Sequence, residues 1–167
     1  LTRMSAFDYL AGVTGTQALV GLLSLVVTMA AAAAMGFRSA GPWSTALLVG
    51  LASTIPVVGI GLIVACFART AMRTYLVASV PFMLLMFFSG AGFPMPKIGA
   101  FRAAGRVVGV FDFLPTTHAV AAFNRVMSLG SGPGEIAYEL VMLAALGLLY
   151  FLVGVFLFRR THLRADA

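Results

Sequence analysis

Residues 39–68 read SAGPWSTALLVGLASTIPVVGIGLIVACFA, a stretch without one Asp, Glu, Lys or Arg. A helix crosses the hydrocarbon core of a bilayer with about 20 apolar residues, so this run is long enough to span. Three more uncharged runs flank it, at 9–37, 74–96 and 140–158. They place crossings near 14–36, 44–67, 72–93 and 137–158. In lipid every backbone polar group must be bonded within the protein, which makes these segments helices rather than open strands. The composition agrees: 61% of the 167 residues are hydrophobic and 10% charged, where soluble domains carry about 25% charged residues. Four apolar runs leave no polar remainder to cover a soluble core. The expected fold class is an all-α integral membrane protein, one transmembrane domain over residues 1–167 with four transmembrane helices.

Charge sets the orientation. With four crossings both ends share a side, which holds Arg3, Arg69, Arg73, Arg159, Arg160 and Arg164. The other side holds Arg38, Lys97, Arg102, Arg106 and Arg125. The first set crowds against helix ends in short segments, where the positive-inside rule has force. Both ends are therefore expected in the cytoplasm, in a bacterial-type plasma (inner) membrane. The net charge of +6 is dispersed rather than gathered into a basic stripe with interleaved aromatics, so no nucleic-acid partner is expected. Cys66 is alone and lies within a crossing, so there is no disulfide framework. The chain opens LTRMSAFDYLAGV, without an initiator Met and running directly into a helix long enough to span. That is a poor signal peptide, and it reads as a piece of a longer chain.

Residues 1–12 read as a short amphipathic helix, with Leu1, Met4, Phe7 and Leu10 recurring every three residues and Arg3, Ser5 and Asp8 elsewhere. Such a helix could be a plain membrane-surface anchor. Alanines 30–34 in the first crossing would allow close helix approach. Pro56 lies mid-crossing beside Ser53 and Thr54, and Pro81 within the third; each frees a carbonyl and bends its helix, and Ser or Thr can re-satisfy the backbone.

The segment 94–135 is too apolar for a plain loop. Gly90, Gly92, Pro94 and Pro96 stop the third crossing, yet the chain stays apolar afterwards. IGAFRAAGRVVGVF (98–111) and THAVAAFNRVMSLG (117–130) both look helical. In the second, Val120, Phe123 and Met127 share a face and Gly130 provides a stop. Each would be roughly 20 Å long, too short for a hydrocarbon core of about 30 Å. FDFLP divides them, so the expectation is a re-entrant or interface-lying helical hairpin between the third and fourth crossings.

Much chemistry is absent. No G-x-x-x-x-G-K-[ST] occurs and Lys97 is the only lysine, so this chain has no P-loop and is not expected to be an enzyme. Asp8, Asp112, Glu135, Glu139 and Asp166 all lie outside crossing interiors, which argues against an ion-driven transporter. His118 and His162 are far apart, so no metal site is expected. Ser89 followed by His118 invites an intramembrane serine hydrolase, but FFSGAG is not a G-x-S-x-G elbow, and a loop histidine is more often an ordinary polar contact.

Four crossings, a small-residue and proline break after the third, an apolar hairpin, a last crossing and a basic tail resemble the membrane subunit of ABC-2 type exporters. LMFFSGAGFPMPKI and FLPTTHAVAAFNRVMSLG carry the likeness, resembling the family's SG-x-x-FP…P and P-x-x-xAv-x-x-R segments in that order. The resemblance implies a permease subunit of an ATP-driven exporter, here the last four of six crossings and lacking two N-terminal helices. It implies that residues 1–12 are a coupling helix docking on an ATPase through Met4, Phe7, Asp8 and Leu10. It implies that Ser89, Gly90, Phe93, Pro94, Pro96, Pro115 and His118 shape an outer re-entrant gate. The implied partners are an ABC ATPase subunit, a second permease copy (identical or homologous) and membrane lipid. No cofactor is expected in this chain, with ATP on the partner. The competing class is a non-transport four-helix membrane protein with a structural or assembly role. An adjacent ATPase reading frame with a P-loop would separate the two.

Overall fold

The structure, a computed structural model, describes residues 6–67, 70–93, 99–103 and 106–162. Five α-helices and a short two-stranded ribbon occur among them. α1 runs Ala6–Ala34, α2 Trp43–Phe67, α3 Ala71–Phe88, α4 Pro115–Leu129 and α5 Ala137–His162. β1 (Gly99–Ala103) and β2 (Arg106–Gly109) precede a 3-10 turn at Val110–Phe113. Parts of α1, α2 and α5, at Gly12–Ala34, Trp43–Phe67 and Ala137–Phe158, are long and apolar enough to cross a membrane. The helix at the third expected crossing is shorter, its apolar part being Met72–Phe88. It ends five residues before the expected 93 because Ser89 closes it and Gly90 takes the left-handed conformation, φ +80°, that favours glycine.

Two expectations are corrected. Residues 6–12 form no separate helix; they are the beginning of α1, which continues without a break to Ala34. The part before Ala6 lies outside the described residues. Secondly, the first arm of the expected helical hairpin is the β1–β2 ribbon, antiparallel with Phe101 opposite Val108 and Arg102 opposite Val107. Glycines at 99, 105 and 109 each cost a helix about 1 kcal/mol relative to alanine, and the Val107–Val108 pair suits a pleated strand. The second arm is helical as read: α4 stops at Gly130, φ +71°, whose N–H returns to Val126 O. Its buried stripe is Pro115, His118, Ala122 and Val126, with Phe123 and Met127 on the flank rather than at the centre.

α2 and α5 form the spine of the molecule, and glycine makes their approach possible. A Cβ on Gly59 would lie 2.6 Å from Phe151 N, one on Gly147 2.9 Å from Pro56 Cδ, and one on Gly154 2.9 Å from Leu62 Cβ. Lipid tails are as apolar as side chains, so helices in a membrane are held by packing of this kind rather than by water exclusion. The pairs rise together along both helices, Pro56 with Gly147, Gly59 with Phe151, Leu62 with Gly154. α2 and α5 therefore run in the same direction. The alanine run of α1 does not make the close approach its composition allowed. Ala30, Ala31, Ala33 and Ala34 are exposed, and only 6% of the apolar window of α1 is buried.

The main apolar cluster sits at one end of this spine. Met29 of α1, Ala46 and Val49 of α2, Ala122 and Val126 of α4, and Ile136 before α5 are all buried there. The α1–α2 connection reinforces it: Ala40 N–H donates to Met127 O, and a Cβ on Gly41 would lie 2.5 Å from Val126 O. Long helices thus converge on the short α4. Val58 and Leu62 of α2 form a second buried cluster with Phe151 and Val155 of α5, while many large side chains, such as Leu19, Leu23, Phe82 and Leu152, stay exposed, as a lipid-facing surface requires.

Candidate functional site

The end of α3, the 3-10 turn and the start of α4 meet at one junction, built from short-range polar contacts. Pro115 occupies the first position of α4, where its missing N–H costs nothing. One residue on, Thr116 Oγ1 donates to Leu85 O at 3.4 Å and ties α4 to the last turn of α3. Thr117 Oγ1 donates to Phe111 O at 2.9 Å, and Asp112 Oδ2 accepts the Gly109 N–H at 2.8 Å. Phe88 stacks on Phe111, centroids 4.9 Å apart. Tyr150 of α5 reaches across to donate to Phe113 O at 3.3 Å. Every described element after α2 except β1 has a contact here.

His118 is buried in this junction, with Nε2 2.8 Å from Asp112 O. A carbonyl only accepts, so Nε2 carries the proton. The ring meets Tyr138 of α5 edge-on at 5.9 Å. Ser89 is also buried, but its hydroxyl donates to Met86 O and accepts the Ala91 N–H. Each polar side chain is occupied with local backbone, the serine in the turn that ends α3 and the histidine in the turn that begins α4. Among the described residues no nucleophile–base pair is made.

Of the residues expected to form the gate, the structure brings Ser89, Gly90, Pro115 and His118 to the α3–α4 junction through the Thr116–Leu85 bond. Phe93 is elsewhere: its ring stacks on Phe87 at 6.4 Å on the exposed side of α3. Pro94 and Pro96 lie outside the described residues. Among the residues expected to couple to an ATPase, Met4 also lies outside them, and Phe7, Asp8 and Leu10 fall in the first turns of α1. Ser53 and Thr54 do not serve the carbonyl that Pro56 frees, that of Ala52; Ser53 donates to Val49 O and Thr54 to Leu51 O.

Sequence reading missed the polar pair at the other end of α4. Arg125 Nη1 lies 3.3 Å from Glu139 Oε1 and also donates to Glu135 O, bridging α4, the connection and the first turn of α5. The partners are unequal: the arginine side chain is 44% exposed and the glutamate 6%. Glu139 Oε2 is buried and has no hydrogen-bond partner among the described residues. The available signal was position, since Glu139 is the last acid before the uncharged run 140–158. No group of acidic, histidine or cysteine side chains suited to a metal occurs among the described residues.

A family model described as ABC-2 family transporter protein matches residues 1–156. No curated protein and no solved structure showed a significant match to the chain.

Proposed function

Because this chain belongs to the ABC-2 family of transporter proteins, we propose that it forms the substrate pathway of an ATP-driven exporter whose nucleotide hydrolysis takes place on a partner ATPase subunit. It is a membrane-embedded permease by family and by its apolar helices. The observation that carries the reading is the family match over nearly the whole chain. The partners we assign are that ATPase and a second permease copy, with ATP bound by the partner and membrane lipid around the helices.

We assign four crossings with both ends in the cytoplasm. The parallel course of α2 and α5 supports this, because the chain between them must return across the membrane once. α3 is the helix available for the return; its 18 residues make about 27 Å. The remaining segment, ribbon, turn and α4, then lies at the outer face as a re-entrant cap. The arginines at 69, 73, 159 and 160 lie on the cytoplasmic side in this arrangement.

The start of the chain is assigned to coupling. Replacing Phe7 and Leu10 by Asp removes apolar contact worth roughly 1.5–3 kcal/mol per side chain and adds charge. In proteoliposomes holding the permease and a P-loop ATPase that it binds, the double variant should still insert but lose stimulation of ATP hydrolysis. Unchanged ATPase stimulation would make this segment a surface anchor. Failure of the native chain to bind any P-loop ATPase would favour the structural or assembly role.

A further inference from the structure

α3 is packed loosely against the spine, and a cavity of about 320 Å³ separates it from α2. Ser53, Pro56, Ile60 and Val64 form one wall, Ala78 and Leu85 stand on the other, and fully buried Leu143 of α5 closes the floor. The end nearest α4 is shut by Thr116 and Ala119. At the rim Val57 and Phe82 are 59% and 67% exposed, so the cavity opens sideways toward the surroundings of the helices.

Its chemistry narrows the occupant. No charged side chain lines it. Its three hydroxyls have already donated their hydrogens to backbone: Ser53 to Val49 O, Thr74 to Thr70 O and Thr116 to Leu85 O. A hydroxyl has one hydrogen to give, so the side chains of the walls offer a ligand no donor, only acceptor oxygens. A buried charge would find no counter-ion there, and a buried acceptor no side-chain donor to replace its water. Ser53 to Val64 spans about 16 Å of helix, close to half of the roughly 30 Å hydrocarbon core, which is the reach of one leaflet's acyl chain.

We propose that this cleft between α2 and α3 binds one alkyl chain of a membrane amphiphile, and that such amphiphiles are the substrate class. The site deepens the exporter reading and rests on it for the word substrate. Binding itself requires neither ATP nor a partner.

Gly61 provides the test. It lines the cleft, and a Cβ there meets nothing within 4 Å, so the side chain of Gly61→Leu starts from open space at the cavity wall. Gly15 on α1 is equally open and lies outside the cleft, so Gly15→Leu is the matched control. The full chain in nanodiscs is irradiated with a fatty acid carrying a mid-chain diazirine, and adducts are mapped by mass spectrometry. Adducts should concentrate on α2 and α3 at Ile60, Val64 and Ala78, saturate with probe, and fall about tenfold in Gly61→Leu but not in Gly15→Leu. Non-saturating adducts spread equally over exposed Leu19 and Leu23 would show ordinary lipid contact and overturn the site. So would an Ala78→Cys variant that cross-links efficiently to another protein chain, because a helix would then fill the cleft. Saturable binding without ATP-driven transport would leave the site standing and sink the exporter reading alone.

Discussion

Glu139 shows how unequal the two ends of one ion pair can be. Its carboxylate is buried with one oxygen on Arg125 and the other unpaired among the described residues, while the guanidinium keeps access to water. Removing a partner from a buried charge costs more than removing the charge, since only the first leaves an ion uncompensated in a dry place. Arg125→Ala should therefore lower stability by about 1–3 kcal/mol, discounted for the exposure of the arginine. Glu139→Leu should cost clearly less, and the double variant should recover much of the loss. Thermal unfolding in detergent, followed by Trp43 fluorescence, measures all three. Equal damage from both single variants would contradict the asymmetry.

At the scale of elements, what matters is which helices touch backbone to backbone. Gly59→Ala puts a methyl 2.6 Å from the Phe151 backbone nitrogen, which is not a side chain that can swing away. α2 and α5 must separate, and overpacking of this kind costs typically about 1–3 kcal/mol. Gly61→Ala, two residues along the same helix and facing open space, should be neutral or stabilise by up to about 1 kcal/mol through helix propensity. The same melting experiment separates them, and similar shifts for the two would mean that the seam is not tight. α3 has no such seam. Its Thr116–Leu85 tie is a single bond of 3.4 Å, so Thr116→Val should loosen α3 from α4 with little loss of global stability. The expected readout is faster hydrogen exchange confined to the last turn of α3.

For the whole molecule the decisive quantity is the number of times the chain changes side. In the proposed four-crossing arrangement, α3 returns the chain between parallel α2 and α5, and the α2–α3 and α4–α5 connections lie on opposite faces. In a chain with Cys66 replaced by Ser, single cysteines at Ala71 and Ser131 should react with an impermeant thiol reagent from opposite sides, Ala71→Cys from the cytoplasm. Labelling of both from one side would remove α3 as a crossing and with it the outer placement of the cap.

The sequence by itself determined the solvent, the helical class and the positions of the long helices. Absence of charge over a bilayer's width leaves a backbone no alternative but internal bonding, and the uncharged runs around Trp43–Phe67 and Ala137–Phe158 carry that signal without help from packing. It also showed the end of α4, because Gly130 supplies a left-handed stop locally. The β1–β2 ribbon is not legible in the sequence, because a short apolar stretch with glycines fits a helical and an extended pattern almost equally, and pairing between residues several positions apart decides between them. The pairing of Arg125 with Glu139, the glycine seam and the cleft between α2 and α3 were decided by the tertiary structure. Each exists only because two helices are brought side by side in a particular rotation, and Gly59, which meets Phe151, looks in the sequence no different from Gly61, which meets nothing.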